Sequence, residues 1–564
     1  MMDTQRLISL VVFSLSSLML WEAWQRHNAP KPPATPVTAT APAGVPQPTT
    51  ALTPPTVAPS PSGTPSAVPA APTGVAPAAG GETVTVKTDL FDVELNTLGG
   101  DIRRVTMNRV YSALDRSQRL TLMEPDPNHY YVTQSGLLGE GLPTHKAAYA
   151  TDSRSHVLQP SQETLEVRLT ARDASGAEVV KKYRFRRGSY VIDVAYEIAN
   201  KTDKPLPAHA YFQFLRDANP PSEQAAQTNA FAGVTTFTGP ALYTEAAKFE
   251  KVSFDDINKG KQAHAKKATD GWIGVIQHYF VSAWLPGKGL EREFFTSKVG
   301  DNLYTAGVVV PVGSIAPGAT GSIEVPVYIG PQETEKLKTV APGLELVVDY
   351  GWLTIIAAPL FWLLNWIHTL VGNWGWAIIV LTILIKAVFY PLNAKAGRSM
   401  AQMKVMAPKM EKLKQLYGDD RQKLNQAMME LYRTEKINPL GGCLPIVVQI
   451  PVFIALYWVL LASIELRHAP WLGWIQDLSA PDPYYILPVI YAVSMFVQTK
   501  LNPQPADPVQ ARVMLAMPIV FSVFFLFFPS GLVLYWVVQN LLSILQQWHI
   551  NRTLAAEAQA KGRR

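Results

Sequence analysis

The chain has 564 residues, carries 50 lysine and arginine residues against 44 aspartate and glutamate residues, and contains a single cysteine. One cysteine excludes an intrachain disulfide, so any exported domain must be held together by its apolar core. The basic excess lies in short segments beside apolar runs, which favours a membrane over nucleic acid as the charged partner. The mean hydropathy near zero therefore averages two different kinds of sequence, strongly apolar and strongly polar.

The first apolar run, Leu7 to Trp24, begins after Arg6 and ends in two tryptophans that suit the headgroup level of a bilayer. The sequence predicts an N-terminal transmembrane anchor over residues 1–28. A cleavable signal peptide is the alternative, but the small-x-small cleavage pattern expected after the apolar stretch is absent.

Residues 29–81 predict a linker. They are almost entirely Pro, Ala, Thr, Ser, Val and Gly, hold 15 of the 45 prolines, and have Lys31 as their only charge. Such a composition favours an extended chain that tethers the next domain rather than docking it.

A period of two begins after the linker, with Val84 and Val86 alternating with polar residues, and it returns in residues 192–198. Such alternation predicts half-buried strands. Two further strand-like stretches, 165–169 and 179–185, flank Asp173-Ala174-Ser175-Gly176, which predicts an antiparallel hairpin. We therefore expect residues 82–345 to form a large all-β sandwich domain.

Long apolar runs dominate the remainder of the chain and predict transmembrane helices. The five runs cover about residues 374–390, 443–463, 484–499, 513–528 and 532–550. With the N-terminal anchor they give six predicted spans, five of them within 373–550. Residues 346–372 are also apolar, but Pro359, Asn365 and His368 interrupt them, so we interpret this segment as a helix lying along the membrane surface.

The loops between the predicted spans differ in charge. Residues 395–436 contain ten Lys and Arg residues, whereas residues 465–483 contain only Arg467. Basic loops are retained in the cytoplasm, so the basic loop, both termini and the basic tail 551–564 are predicted to be cytoplasmic. The linker and the β domain then lie on the opposite, periplasmic side.

Several unusual motifs occur in order between about Trp352 and Ile550, and in them the chain resembles YidC-type membrane protein insertases of Gram-negative bacteria. The motifs are Asn438-Pro439-Leu440-Gly441-Gly442-Cys443-Leu444-Pro445, Gln449-Ile450-Pro451, Asp482-Pro483-Tyr484-Tyr485-Ile486-Leu487-Pro488 and Phe528-Pro529-Ser530-Gly531-Leu532-Val533-Leu534-Tyr535.

The resemblance implies a polar groove, open to the cytoplasm and to lipid, that contains one basic residue. Here that residue would be Lys386, where relatives usually have arginine. Thr382 shares its helix face, and the resemblance implies that Thr382 and Trp536 contact the substrate. Alternatively, Lys386 extends to the cytoplasmic surface, since Tyr390-Pro391 ends its helix about one turn later.

The last predicted span has one polar and aromatic face, formed by Trp536, Gln539, Asn540 and Ser543 at helical spacing. These residues are expected to line the groove, although hydrogen bonding between helices is the commoner use of such side chains. Gln449 lies between two prolines and is a further candidate. It could equally bond backbone groups that the prolines leave without partners.

The basic loop 395–436 predicts a helical hairpin, with Tyr417-Gly418 ending the first arm and Asp419 or Asp420 capping the second. Met400, Met403, Met406 and Met410 recur at helical spacing along the first arm. Methionine adapts to unlike apolar partners, so the stripe is a candidate capture surface for hydrophobic segments. Packing within the hairpin is the alternative use.

These expectations together predict a non-enzymatic insertase and chaperone of the inner membrane that needs no cofactor. Among the histidines there is no pair at metal-ligand spacing, and the sequence lacks a phosphate-binding loop. The expected partners are nascent membrane proteins, the Sec translocon, the ribosome with the signal-recognition machinery, and phospholipid, without specific nucleic acid. A small-solute transporter and a membrane-anchored periplasmic glycan-binding protein are the alternatives.

Overall fold

The computed structural model describes residues 80–112, 117–172, 177–220, 236–418, 420–435, 444–501 and 508–562. All of them belong to one compact unit, Pro65–Arg564, while the second unit, Met1–Thr64, lies outside the described residues. The predicted anchor, nearly all of the linker, the turn 173–176 and the start of the 438–445 motif also lie outside them.

The β domain contains 19 strands within the described residues. In chain order, β1 to β19 are Thr83–Lys87, Phe91–Asn96, Asp101–Tyr111, Arg119–Asp126, His129–Leu138, Ala150–Thr151, Ser155–Val157, Thr164–Arg172, Glu178–Arg186, Val191–Ala199, Leu206–Asp217, Thr238–Thr244, Lys248–Lys251, Lys267–Ala268, Trp272–Gln277, Phe280–Trp284, Arg292–Gly300, Leu303–Ile315 and Thr320–Pro331.

The strands form two large sheets. One has the order β14-β17-β18-β11-β5-β4-β3-β2-β1-β7, and the other has the order β13-β12-β15-β16-β19-β10-β9-β8-β6. Inward-facing residues of both sheets share one hydrophobic core, in which Phe212 of the first sheet contacts Trp284 of the second at 5.0 Å between ring centroids. The predicted β-sandwich is confirmed.

The period-two pattern is reproduced in the burial of individual side chains. Val84 and Val86 of β1 are buried while their neighbours are not, as expected for side chains that alternate between the faces of a sheet. Strands β8 and β9 pair in antiparallel register, with Arg172 opposite Glu178, so the predicted hairpin is confirmed.

Ten helices within the described residues complete the structure. In chain order, α1 to α10 are Phe254–Asn258, Thr334–Val340, Thr354–Val371, Trp374–Val388, Tyr390–Tyr417, Arg421–Thr434, Leu444–Ala462, Ile486–Leu501, Pro508–Phe525 and Ser530–Gly562. Short 3₁₀ turns at Leu344–Val347 and Gly351–Leu353 lead from the β domain into α3.

By length and composition, α3 is the one described helix that is long and apolar enough to cross a membrane. A second crossing is counted if α4 and residues 390–399 act as one span across a 65° bend. Three shorter apolar helices lie at Val448–Ala462, Ile486–Leu501 and Leu515–Phe525. The six spans and the interfacial position of 346–372 stay predictions, since composition does not fix depth in a bilayer.

A buried ion pair lies between the two sheets of the β domain. Lys181 Nζ of β9 is 3.6 Å from Asp101 Oδ1 of β3, and both side chains are 0 % exposed. The turn between β2 and β3 places the Gly99 carbonyl against the same ammonium, at 3.0 Å. Gly99 has φ 82°, and a Cβ atom there would meet the His145 carbonyl oxygen at 2.3 Å, so only glycine suits this turn.

Burial raises the pKa of Asp101 to about 6 and lowers the pKa of Lys181 to about 8, although each charge partly offsets the shift of the other. The aromatic rings of Tyr183 and Tyr196 each have their centroid 5.5 Å from the ammonium. The ion pair is therefore desolvated and held by a specific polar environment, so loss of one partner leaves a costly charge.

We predict that Lys181→Met lowers the free energy of unfolding by about 3–5 kcal/mol at pH 7, because Asp101 is left buried without its cation. Because Lys181 helps to hold the pKa of Asp101 down at about 6, its removal raises that pKa further, so protonation of Asp101 favours the folded variant earlier and the deficit should shrink as the pH falls towards 6. Thermal unfolding of the detergent-solubilised chain, followed by tryptophan fluorescence, measures the effect.

The control is the double substitution Asp101→Leu with Lys181→Met, which removes both charges and should recover most of the lost stability. Equal loss in the single and double variants would contradict the importance of pairing at this site.

Candidate functional site

Lys386, the basic residue predicted to lie in a groove, is on α4 and faces another helix. Its Nζ donates a hydrogen bond of 2.8 Å to Ser543 Oγ on α10. The side chain is half-buried, and within the described residues no carboxylate forms an ion pair with it. The ammonium is therefore held between two helices rather than extended away from them.

The position of Lys386 follows from how α4 begins and ends. Asn373 caps the helix, accepting hydrogen bonds from the backbone N–H groups of Gly375 and Trp376. The helix ends at Val388, and α5 starts at once with Pro391 in its first turn, where the missing N–H costs nothing. Lys386 thus lies within the last turn before the 65° bend.

On α10, two of the predicted polar residues bond to neighbouring helices. Asn540 Nδ2 donates to Ser494 Oγ of α8 at 3.3 Å. Ser543 accepts from Lys386 and donates to the Gln539 carbonyl at 2.8 Å. Part of the polar face therefore has the helix-to-helix bonding that sequence reasoning left open as the alternative.

Trp536 lies in an aromatic cluster rather than alone in a cavity. Its ring centroid is 4.6 Å from that of Phe453 on α7, 5.8 Å from that of Phe525 on α9 and 6.1 Å from that of Tyr491 on α8. Because four helices meet at this ring, Trp536 is half-buried and its orientation is fixed by packing.

The remaining candidates have different environments. Thr382 is fully buried, and its Oγ1 donates to the Ile378 carbonyl of its own helix at 2.6 Å. Gln449 is half-buried and approaches the Tyr535 hydroxyl. Contact of either residue with a substrate stays a prediction.

Residues 463–483 form a compact loop between α7 and α8, here called the cap loop. Asn373 Nδ2 at the start of α4 donates to the Pro470 carbonyl at 3.0 Å, and Ser530 Oγ at the start of α10 donates to the Asp477 carbonyl at 2.7 Å. Asp482 accepts from Leu487 N at the start of α8 at 2.7 Å. The loop therefore joins the N-terminal ends of three helices.

The cap loop also contacts the β domain. Arg467 Nη2 donates to the Tyr111 carbonyl at 2.7 Å, and the guanidinium carbon lies 5.6 Å from the centroid of the Tyr279 ring. His278 Nε2 is 3.2 Å from the Leu461 carbonyl at the end of α7. The β domain thus rests on the same end of the helices that the cap loop covers.

Helices α5 and α6 form a hairpin, and Asp420 caps α6 as predicted, accepting from the backbone N–H groups of Gln422 and Lys423. Lys409 Nζ pairs with Glu435 Oε1 across the arms at 2.7 Å. Met406 is buried and Met403 and Met410 are half-buried, with Tyr432 donating to Met410 Sδ. The side chain of Met400 lies outside the described residues, and the capture surface stays a prediction.

Sequence reasoning did not identify the cap loop as the element that joins the helices. Its Asp482-Pro483 pair was available as a capping signal, because Asp commonly accepts from the first N–H groups of a helix. Across the described residues, no group of three or more His, Cys, Asp or Glu side chains is arranged to hold a metal ion.

A large β-sandwich docked on apolar helices, with Lys386 held between two of those helices, is the arrangement of a membrane protein with a large extramembrane domain. The family description "YidC periplasmic domain" matches residues 83–363, and "60Kd inner membrane protein" matches residues 366–557. The chain is 56 % identical to the membrane protein insertase YidC of Aromatoleum aromaticum over 99 % of both chains. It is 53 % identical to that of Methylobacillus flagellatus, over 100 % of this chain and 99 % of that one.

A solved structure described as an active YidC insertase with its first transmembrane domain resolved is 17 % identical and has a TM-score of 0.40, covering 82 % of this chain and 91 % of that chain. The full-length identities establish the relationship. The chain belongs to the YidC family of membrane protein insertases, and it is an inner membrane protein with a periplasmic domain.

We predict that Asp482→Asn lowers the free energy of unfolding by about 1–3 kcal/mol, because the amide cannot accept from all its present donors. These are Leu487 N, Tyr484 N and Trp474 Nε1. The same substitution at the exposed Asp301 is the control and should leave the melting temperature unchanged. Equal melting temperatures for the two variants would argue against Asp482 as the anchor of α8.

Proposed function

We propose that this chain inserts nascent membrane proteins into the inner membrane through a polar groove between α4 and α10, acting as an insertase and chaperone without covalent catalysis or a cofactor. The observation that carries the proposal is the hydrogen bond from Lys386 Nζ to Ser543 Oγ, which holds a cation between two apolar helices. Such a charge is rare at that location unless it acts on a substrate.

Transfer of a polar segment through hydrocarbon is the step that needs assistance. A single charged side chain at mid-depth costs roughly 3 kcal/mol by insertion scales. An ammonium held in the groove attracts an acidic leading segment and offsets part of that cost. Lys386 suits this role because within the described residues it has no carboxylate partner to compete with a substrate.

The direction of transfer follows from the proposed topology of six spans with both termini in the cytoplasm. The basic hairpin then lies on the cytoplasmic side, where ribosome-bound chains arrive, while the cap loop closes the helices on the periplasmic side. Bonds from the cap loop to the starts of α4, α8 and α10 support this closure. Three short apolar helices favour a locally thinned bilayer, which shortens the path.

The buried and exposed faces of α3 support an interfacial position for this helix. Ala357, Phe361 and Leu364 are buried on one face. Ile355, Trp362, Trp366 and Leu370 are exposed on the other. An apolar face that includes two tryptophans suits the boundary between headgroups and acyl chains. In this proposed position, α3 would hold the β domain at the membrane surface.

The proposed partners follow from the same arrangement. Basic side chains on the hairpin suit anionic lipid headgroups, the ribosome and the signal-recognition machinery. Met403, Met410 and the exposed Met429 would supply adaptable apolar contacts for hydrophobic segments. Cooperation with the Sec translocon is also part of the proposal.

We predict that Lys386→Arg preserves insertion, whereas Lys386→Glu reduces insertion of clients with acidic leaders by roughly tenfold or more, because attraction becomes repulsion at short range. Reconstituted vesicles with a protease-protection readout measure the inserted fraction.

A client with the same span and a neutral leader is the control, and its insertion should change little in either variant. Unchanged insertion of the acidic client by Lys386→Glu would contradict the proposed role of the cation. A photocrosslinking residue in place of Trp536, with Lys386 unchanged, should also react with a stalled client.

A further inference from the structure

Buried polar side-chain atoms without hydrogen-bond partners occur in the β domain, in the cap loop and, among the helices α3 to α10, mainly on α10. Within the described parts of α3 to α10, the buried side-chain nitrogen and oxygen atoms that have no hydrogen-bond partner belong to Asn393, Trp536, Gln539 and Gln546. Three of these four residues are on α10. Folded proteins leave few such groups, so a cluster of them requires an explanation.

The three residues of α10 lie on one face. Trp536, Gln539 and Gln546 are separated by three and seven residues, which places them in a row about 15 Å long at 1.5 Å per residue. The hydrogen bond between Lys386 and Ser543 lies in the same row, between Gln539 and Gln546. The row therefore combines one cation with donors and acceptors that lack partners.

The atoms without partners include both hydrogen-bond types. The indole Nε1 of Trp536 and the amide Nε2 of Gln546 can donate, and Oε1 of Gln539 can accept. A polypeptide backbone offers the complementary pair, one acceptor and one donor in each residue. At about 3.3 Å per residue, four to five residues of an extended chain would span the row.

We propose that the row on α10 binds the backbone of an extended client segment, independently of its side chains. This inference deepens the proposed function: Lys386 selects clients by the charge of the leader, while Trp536, Gln539 and Gln546 satisfy peptide groups that hydrocarbon cannot. Backbone groups in lipid must find partners within protein, so a segment that is neither helix nor barrel needs such a row.

The same atoms are inaccessible to solvent in the absence of a client, so a client reaches them by separating α10 from its neighbours. Without a client, the buried groups lack hydrogen bonds, which destabilises this state. A bound client supplies those hydrogen bonds, which stabilises the client-bound state. A ligand shifts an equilibrium only through such a difference in contacts between two states.

The test is Gln539→Leu, which replaces the amide, including its acceptor oxygen, with an apolar side chain of similar size. Insertion should fall by roughly two- to tenfold, the value of one hydrogen bond, for acidic, neutral and basic leaders alike. The melting temperature of the full chain should stay the same or rise, since an unsatisfied buried amide has been removed.

Asn540→Leu is the matched control. Gln539 and Asn540 are adjacent and each is 6 % exposed, but Asn540 is bonded to Ser494. Its replacement should lower the melting temperature, the opposite of the result for Gln539. Trp536→Phe is a second test, because it removes the indole N–H and keeps an aromatic ring against Phe453. It should reduce insertion in the same uniform way.

Comparing clients with acidic, neutral and basic leaders separates this inference from the proposed function. A loss with Lys386→Glu confined to acidic leaders, together with a uniform loss with Gln539→Leu, supports both. Normal insertion by Gln539→Leu, a loss that depends on leader charge, or a lowered melting temperature would each overturn backbone recognition while leaving the role of Lys386 to its own test.

Discussion

A polar side chain on an apolar helix can find a partner only on a neighbouring helix, because hydrocarbon offers none. Asn540 bonds to Ser494 and Ser543 bonds to Lys386, so these two contacts fix how α10 is rotated against α8 and α4. The rotation in turn brings Trp536 to the rings of Phe453, Phe525 and Tyr491. The rotation of α10 therefore determines where the cation lies and how the aromatic cluster packs. It also determines where the polar atoms without partners are located.

The two ends of the helical region are held differently. At one end, the cap loop bonds to the starts of α4, α8 and α10 and carries Arg467, which contacts the β domain. At the other end, α4 turns by 65° into a long hairpin arm whose contact with α6 includes a surface ion pair, Lys409 with Glu435. Surface pairs contribute little to stability, so this ion pair adds little to the contact between the two arms of the hairpin.

Sequence reasoning predicted the parts of the structure that depend on local pattern. Alternation at Val84 and Val86 predicted inward and outward faces, and of the two predicted caps, Asp419 or Asp420, the second caps the helix. Contacts between residues that are far apart in the sequence have no such local pattern in the sequence. The pair Asp101 and Lys181 is separated by 80 positions, and only its inward register within β3 and β9 hints at burial.

The candidate site was predicted in the same uneven way. Helical spacing grouped Trp536, Gln539, Asn540 and Ser543, and the family resemblance indicated Lys386. Neither source indicated that Ser543 is the residue that meets the lysine, because the pairing depends on how two helices are rotated. Gln546 continues the same face one turn further, at a spacing the pattern already contained.

A lysine suits this site for a physical reason. An ammonium has three donors, of which Ser543 takes one, and within the described residues the other two have no protein acceptor. Ser543 already donates its own proton to the Gln539 carbonyl, so the hydroxyl can only accept and is matched to a single point donor. A guanidinium presents five donors in a rigid fork, so an arginine at this position would likewise keep donors beyond the one that Ser543 accepts. The lysine is therefore oriented by one bond and keeps two donors without a protein acceptor within the described residues, which is the arrangement that the proposed attraction of an acidic client segment requires.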